Sequence, residues 1–221
     1  MNGVMELICA ICNSVRDSTK QGLTFQKLLN CLRRQFKLND IEVKIISKRD
    51  KSLNQDVFYV NGFYDPEDDK NQECPIELYI THNFEKDHVW YPEHSTHLLI
   101  QIYDTMTHEL KHQRQYRARN FKNGVERGPG HKEYLEDPDE IDAYSLSISF
   151  ELVRSLGRSR SLRYLHNFEA LSRLKQKGNF VSPSFSMYAQ EFSETHNTTI
   201  KKLAKKVYSR LQKVDIDYIF Q

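Results

Sequence analysis

The run His108-Glu109-Leu110-Lys111-His112 constrains this chain more than any other stretch, because it sets two imidazoles and a carboxylate on helical positions with no loop between them. Residues four apart on an α-helix lie roughly 40° apart around the axis and about one turn along it, so His108 and His112 can reach one metal ion together. Glu109 lies beside that face. It is poorly placed as a third ligand and well placed to hold a water bound to the metal. Most histidines bind no metal, so the plain alternative is a solvated surface helix. The neighbouring residues argue against it. From His97 to Arg119 the chain carries Leu98, Leu99, Ile102, Tyr103, Met106 and Leu110 at helical spacing, with Ser95 or Thr96 as the expected N-cap after Tyr91-Pro92. The two histidines continue that apolar stripe, and a folded domain turns such a stripe inward. Beyond the motif, Arg114, Arg117, Arg119 and Lys122 carry the helix out of the core.

A catalytic zinc takes three protein ligands and keeps the fourth position for water, so another residue is needed. A third histidine six positions after His112 is ruled out, since that position is Ala118 and the intervening glycine position is Gln115. His131, in the loop around Gly124 to Gly130, is a candidate on reach, and Asp139 and Asp142 are weaker ones. Glu140 is favoured. Asp137 reads as an N-cap and Pro138 as the first residue of a helix running to about Leu156, which places Glu140 rigidly in the first turn. Taken alone, Glu140 would close a capping box onto the Asp137 backbone. With the paired histidines upstream, the ligand reading leads.

His108-Glu109-Leu110-Lys111-His112, followed by Glu140-Ile141-Asp142-Ala143-Tyr144, resembles the gluzincin group of zinc metallopeptidases, which includes thermolysin and much smaller single-domain members. The Glu-x-x-Ala-aromatic pattern is similar to that of the ImmA-type peptidases, which are associated with phage and mobile-element biology. The resemblance implies a Zn2+ cofactor held by His108, His112 and Glu140, with Glu109 as general base. Ala143 would be the small residue that lets the two helices approach. It also implies hydrolysis of a protein or peptide substrate on an α+β, zincin-like fold: a small twisted sheet with active-site helices, plus N- and C-terminal helices. For the donor that stabilises the oxyanion, Tyr134, His131 and Tyr144 qualify by location, and Tyr116 and His166 by chemistry.

Strand signals precede the motif. Ile41 to Ser47 reads as a strand, Asp56 to Tyr64 as strand then turn on the Asn61-Gly62 signal, and the alternating Ile76 to Ile80 as a half-buried strand, which the resemblance to zincins implies is the edge strand that pairs with substrate. Asp65 to Glu73 reads as an acidic surface loop without the spacing of a calcium loop. Helices are expected over Val4–Arg16, over Phe25–Phe36 with Thr24 as cap, and later over Ser161–Lys177, Pro183–Glu194 and Thr198–Val214. The domain expectation is a metallopeptidase unit over residues 1–157 and a helical extension over 158–221.

Composition excludes little. A net charge of +2 with 38% hydrophobic residues is ordinary for a globular chain. Cys9 and Cys12 lie in an apolar helical run and read as buried thiols, so no oxidising compartment is required. With no apolar run of membrane-spanning length, the expectation is a cytoplasmic protein, or one inside a particle assembled in the cytoplasm. The basic groups at Lys111–Lys132 and Lys201–Lys213 read first as solvated faces, with nucleic acid a possible but unfavoured partner. Two other classes stand beside the enzyme: a catalytically lapsed zincin-fold scaffold with an assembly partner, such as a phage virion component, and a nucleic-acid-associated protein using its basic C-terminal helix.

Overall fold

The computed structural model describes residues 2–54, 57–85, 87–122, 130–166, 181–192 and 197–213. The fold is α+β, in two compact units that divide between Phe121 and Lys122.

In the first unit, α1 (Asn2–Ser18) and a 3-10 turn (Thr19–Gln21) lead through β1 (Leu23–Thr24) into α2 (Phe25–Leu38). Then come β2 (Lys44–Arg49), β3 (Phe58–Tyr64), α3 (Pro66–Lys70), β4 (Ile76–His82), β5 (Val89–Trp90) and α4 (Pro92–Ala118). The three-stranded sheet has the order β2-β4-β3, with β2 parallel and β3 antiparallel to β4. β1 and β5 form a separate short antiparallel pair. α4 lies against both β3 and α1. Its stripe of Leu98, Leu99, Ile102, Tyr103 and Met106 is fully buried, and α1 contributes Ile8, Ile11, Cys12 and Val15. Cys12 donates its thiol to the Leu99 carbonyl at 3.6 Å, and burial pushes its pKa up. The buried-thiol reading of Cys9 and Cys12 therefore holds.

Several expectations are corrected. Ile76 to Ile80 is not an edge strand, because β4 is paired on both sides; its alternation marks one buried face, and periodicity says nothing about neighbours along the hydrogen-bonding direction. Asn61-Gly62 makes no turn: β3 runs straight through, with Asn61 opposite Tyr79 and Gly62 opposite Leu78. The acidic segment contains a short helix, capped by the Asp65 carboxylate on the amides of Glu67 and Asp68. Within it Asp69 is buried, accepting bonds from Tyr64 Oη at 2.9 Å, Gln113 Nε2 at 3.2 Å and Arg117 Nε at 2.9 Å. Burial raises that carboxyl, but the donors, Arg117 foremost, outweigh it and hold its pKa below the usual range. α4 begins five residues before His97, because Pro92 presets the first helical turn after extended Tyr91; Ser95 and Thr96 sit inside the helix and bond back to the Pro92 carbonyl. Thr24 does precede α2, although its hydroxyl makes no capping bond.

The second unit is helical: α5 (His131–Glu136), α6 (Pro138–Leu156), α7 (Arg158–Leu165), α8 (Pro183–Glu191) and α9 (Thr198–Lys213). α6 is its centre, packed by α5, α7, α8 and α9. Ile141, Leu146, Ile148, Phe150 and Leu152 are buried on α6, with Ile200, Leu203, Val207 and Leu211 on α9. Gly157, at φ 72°, ends α6 and donates its amide to Val153. Glu151 is buried and accepts from Ser182 and Ser184, tying down the start of α8. Because the helical partners of α6 within its unit include α7 to α9, the chain divides at 121/122 where the sequence reading drew a line at 157/158. The expected helix from Ser161 starts earlier, directly after Gly157, and residues 167–177 of it lie outside the described residues, as do 193–194 and Val214 of the next two. Among the described residues no helix is long and apolar enough to cross a membrane.

His82, 7% exposed, packs on Phe25 and Phe84 with ring centroids 4.5 and 5.0 Å away. The Phe84 amide donates to its Nδ1 at 3.1 Å, so the ring is neutral with its proton on Nε2, beside Ser47 Oγ. Burial, then Arg49, pushes its pKa below 6.5. A depressed histidine contributes stability that is whole above the unfolded value and declines as pH falls below about 6.5 toward the folded value. Urea midpoints measured at pH 7.5 and 5.5 should fall less in His82→Phe than in the parent.

Candidate metal centre

His108 and His112 stand one turn apart on α4, and their Nε2 atoms face each other at 3.1 Å. Two imidazoles on one tetrahedral zinc, with Zn–N near 2.05 Å, place those nitrogens about 3.3 Å apart. His112 is 3% exposed and His108 half-buried. Gln115 Oε1 lies 3.0 Å from His112 Nδ1, so Nδ1 carries the proton and Nε2 keeps its lone pair for a cation. Glu109 is buried on the adjacent helical position.

Glu140 is placed by α6. Asp137 accepts the Asp139 amide at 2.7 Å, Pro138 is the first helical residue, and Glu140 follows in the first turn, 1% exposed. The Asp137 amide donates to Tyr134 O at 3.2 Å, which occupies the donor that a capping box would use. One ligand atom from each of His108, His112 and Glu140 lies within 4.8 Å of the others. Two imidazoles and a carboxylate suit Zn2+ in chemistry and number.

The other candidates are placed differently. His131 is exposed and stacks on Tyr134, ring centroids 6.5 Å apart. Asp142 is bonded by Arg210 Nη2 at 2.7 Å and by Lys206 at 3.0 Å, while Arg210 Nε reaches Ser145. The basic C-terminal helix is thus partly engaged with α6. Tyr134 lies by Tyr144 and Glu140, and burial first, then the charges of those two neighbours, pushes its hydroxyl far above the usual tyrosine range. It stays protonated and able to donate. Tyr116 packs on Tyr64, and His166 is exposed at the end of α7. Ala143 is fully buried on α6, three residues after Glu140.

Gln115 is the residue that sequence reasoning missed. The signal was present, since it sits three positions after His112 on the same helical face. Comparison with family models, curated proteins and solved structures returned no match. A ligand histidine that loses its orienting partner typically binds metal 10- to 100-fold more weakly, as an order of magnitude. Gln115→Ala should therefore retain Zn2+ at least about tenfold less tightly in equilibrium dialysis; unchanged retention would remove Gln115 from this role.

Proposed function

We propose that this chain is a zinc-dependent peptidase, a reading carried by the grouping of His108, His112 and Glu140 beside a buried glutamate. Zn2+ bound there would supply Lewis acidity and lower the pKa of water toward neutrality. Glu109 accepts a proton from the attacking water as its oxygen bonds to the scissile carbonyl carbon, then delivers that proton to the leaving amine as the C–N bond breaks. Tyr134, protonated and next to Glu140, is the donor this reading favours for the developing oxyanion. Gln115 holds His112 in the tautomer that ligation needs.

β3 supports a peptide substrate. It forms one edge of its sheet, and it packs along α4, the helix that bears Glu109. An edge strand can pair its backbone with an extended chain. The proposal extends to a cytoplasmic setting, in keeping with Cys9, Cys12, Cys31 and Cys74 being thiols rather than disulfides.

Glu109→Gln should keep its zinc and lose cleavage of a broad peptide library by at least about a hundredfold, within the range for general-base loss. A zinc-loaded Glu109→Gln protein that cleaves as fast as its parent removes Glu109 from the reaction. Metal content after dialysis separates the ligands: Glu140→Ala should lose zinc, whereas Glu136→Ala, at an exposed position of α5, should not. Equal retention in both assigns the third ligand elsewhere. A zinc-loaded parent that cleaves no library peptide overturns the peptidase reading.

A further inference from the structure

We infer that Gly62 on β3 is a positioning residue for Glu109, its missing side chain being the space in which the Glu109 carboxylate rests. A Cβ built on Gly62 would lie 2.6 Å from Glu109 Cγ, 2.6 Å from Glu109 Oε1 and 2.6 Å from Thr105 Cγ2. Non-bonded carbons sit at about 3.5–4.0 Å, so no side chain larger than hydrogen fits without displacing α4 or the carboxylate. Thr105 and Glu109 are four residues apart, on one face of α4. The β3 backbone seats over that pair.

The usual reasons for a glycine do not apply at this position. Gly62 lies mid-strand, opposite Leu78, and its backbone is not left-handed. A glycine inside a strand weakens it unless another group must come close, and here the close neighbour is Glu109, the buried acid that follows His108 in sequence. β3 therefore walls one side of Glu109. Val60 and Tyr64, which share the sheet face of Gly62, carry side chains, so the gap is local to this position. The consequence for function rests on Glu109 being the base: the strand would hold Oε1 beside its own edge and stop the carboxylate from rotating toward the sheet.

A double-mutant cycle tests the placement without reference to activity. Gly62→Ala and Glu109→Ala are combined in a Thr105→Ser background, which removes the third contacting atom. Gly62→Ala should lower the urea midpoint at least twice as far when Glu109 is present as when Glu109→Ala has removed its Cγ and carboxylate. Additive shifts overturn the inference. If Gly62→Ala alone fails to fold, recovery of folded protein on adding Glu109→Ala supports the coupling, and failure to recover overturns it. The catalytic arm uses full-length, zinc-loaded protein and the peptide library. Gly62→Ala should lower cleavage at least about tenfold with zinc content unchanged, and lower it less in a Glu109→Asp background, where the acid is one methylene shorter. An equal fractional loss in both backgrounds overturns the positioning role. Non-additive midpoints from a zinc-loaded parent that cleaves nothing would sink the peptidase reading and leave Gly62 assigned to the placement of Glu109.

Discussion

Two imidazole nitrogens facing each other at 3.1 Å on a largely buried helical face are an electrostatic demand. Lone pairs brought that close in a low-dielectric interior repel unless a proton or a cation lies between them. Gln115 Oε1 accepts a hydrogen bond from the His112 Nδ1–H, which leaves the lone pair on Nε2. One proton shared between the two rings meets that demand, and with the carboxylate of Glu140 the same three groups could hold a metal ion. Within its own unit each helix fixes its side chains locally: α4 sets the two histidines one turn apart, and the Asp137-Pro138 start of α6 sets Glu140 in a first turn.

What could be read from the sequence was local. The spacing of His108 and His112, the apolar stripe of α4, the α2 stripe, and the Asp137-Pro138 start that brings Glu140 into a first turn all depend on residues within a few positions of one another, and all are found. The α+β class, expected from the resemblance and in keeping with the strand and helix periodicities, is found. Glu140 was favoured as a ligand on its first-turn placement and the paired histidines, and the resemblance added to that reading, because nothing in the spacing between His112 and Glu140 specifies a path through space.

What could not be read was tertiary. Whether β4 is an edge or a central strand depends on β2 and β3, which pair with it from opposite sides. Asp69 looks like part of a solvated acidic run until Tyr64, Gln113 and Arg117 are seen to surround it. Asn61-Gly62 carries a hairpin signature, yet its glycine faces Thr105 and Glu109, over forty residues later in the chain, so a local turn rule had no access to that neighbour. The position of Pro92 was legible as a helix start and was passed over in favour of Ser95 and Thr96, residues whose hydroxyls suit a cap equally well.

The strand order has a consequence for how the molecule is made. β2 and β3 leave the ribosome first and are not neighbours in the finished sheet, since β4 inserts between them. Neither has its ladder partner until residues 76–82 have been synthesised. The nascent chain thus holds two unsatisfied strands for the time that the segment after Tyr64 takes to emerge. The unpaired backbone edges of β2 and β3 make that interval the one in which the nascent chain is most open to pairing with other strands.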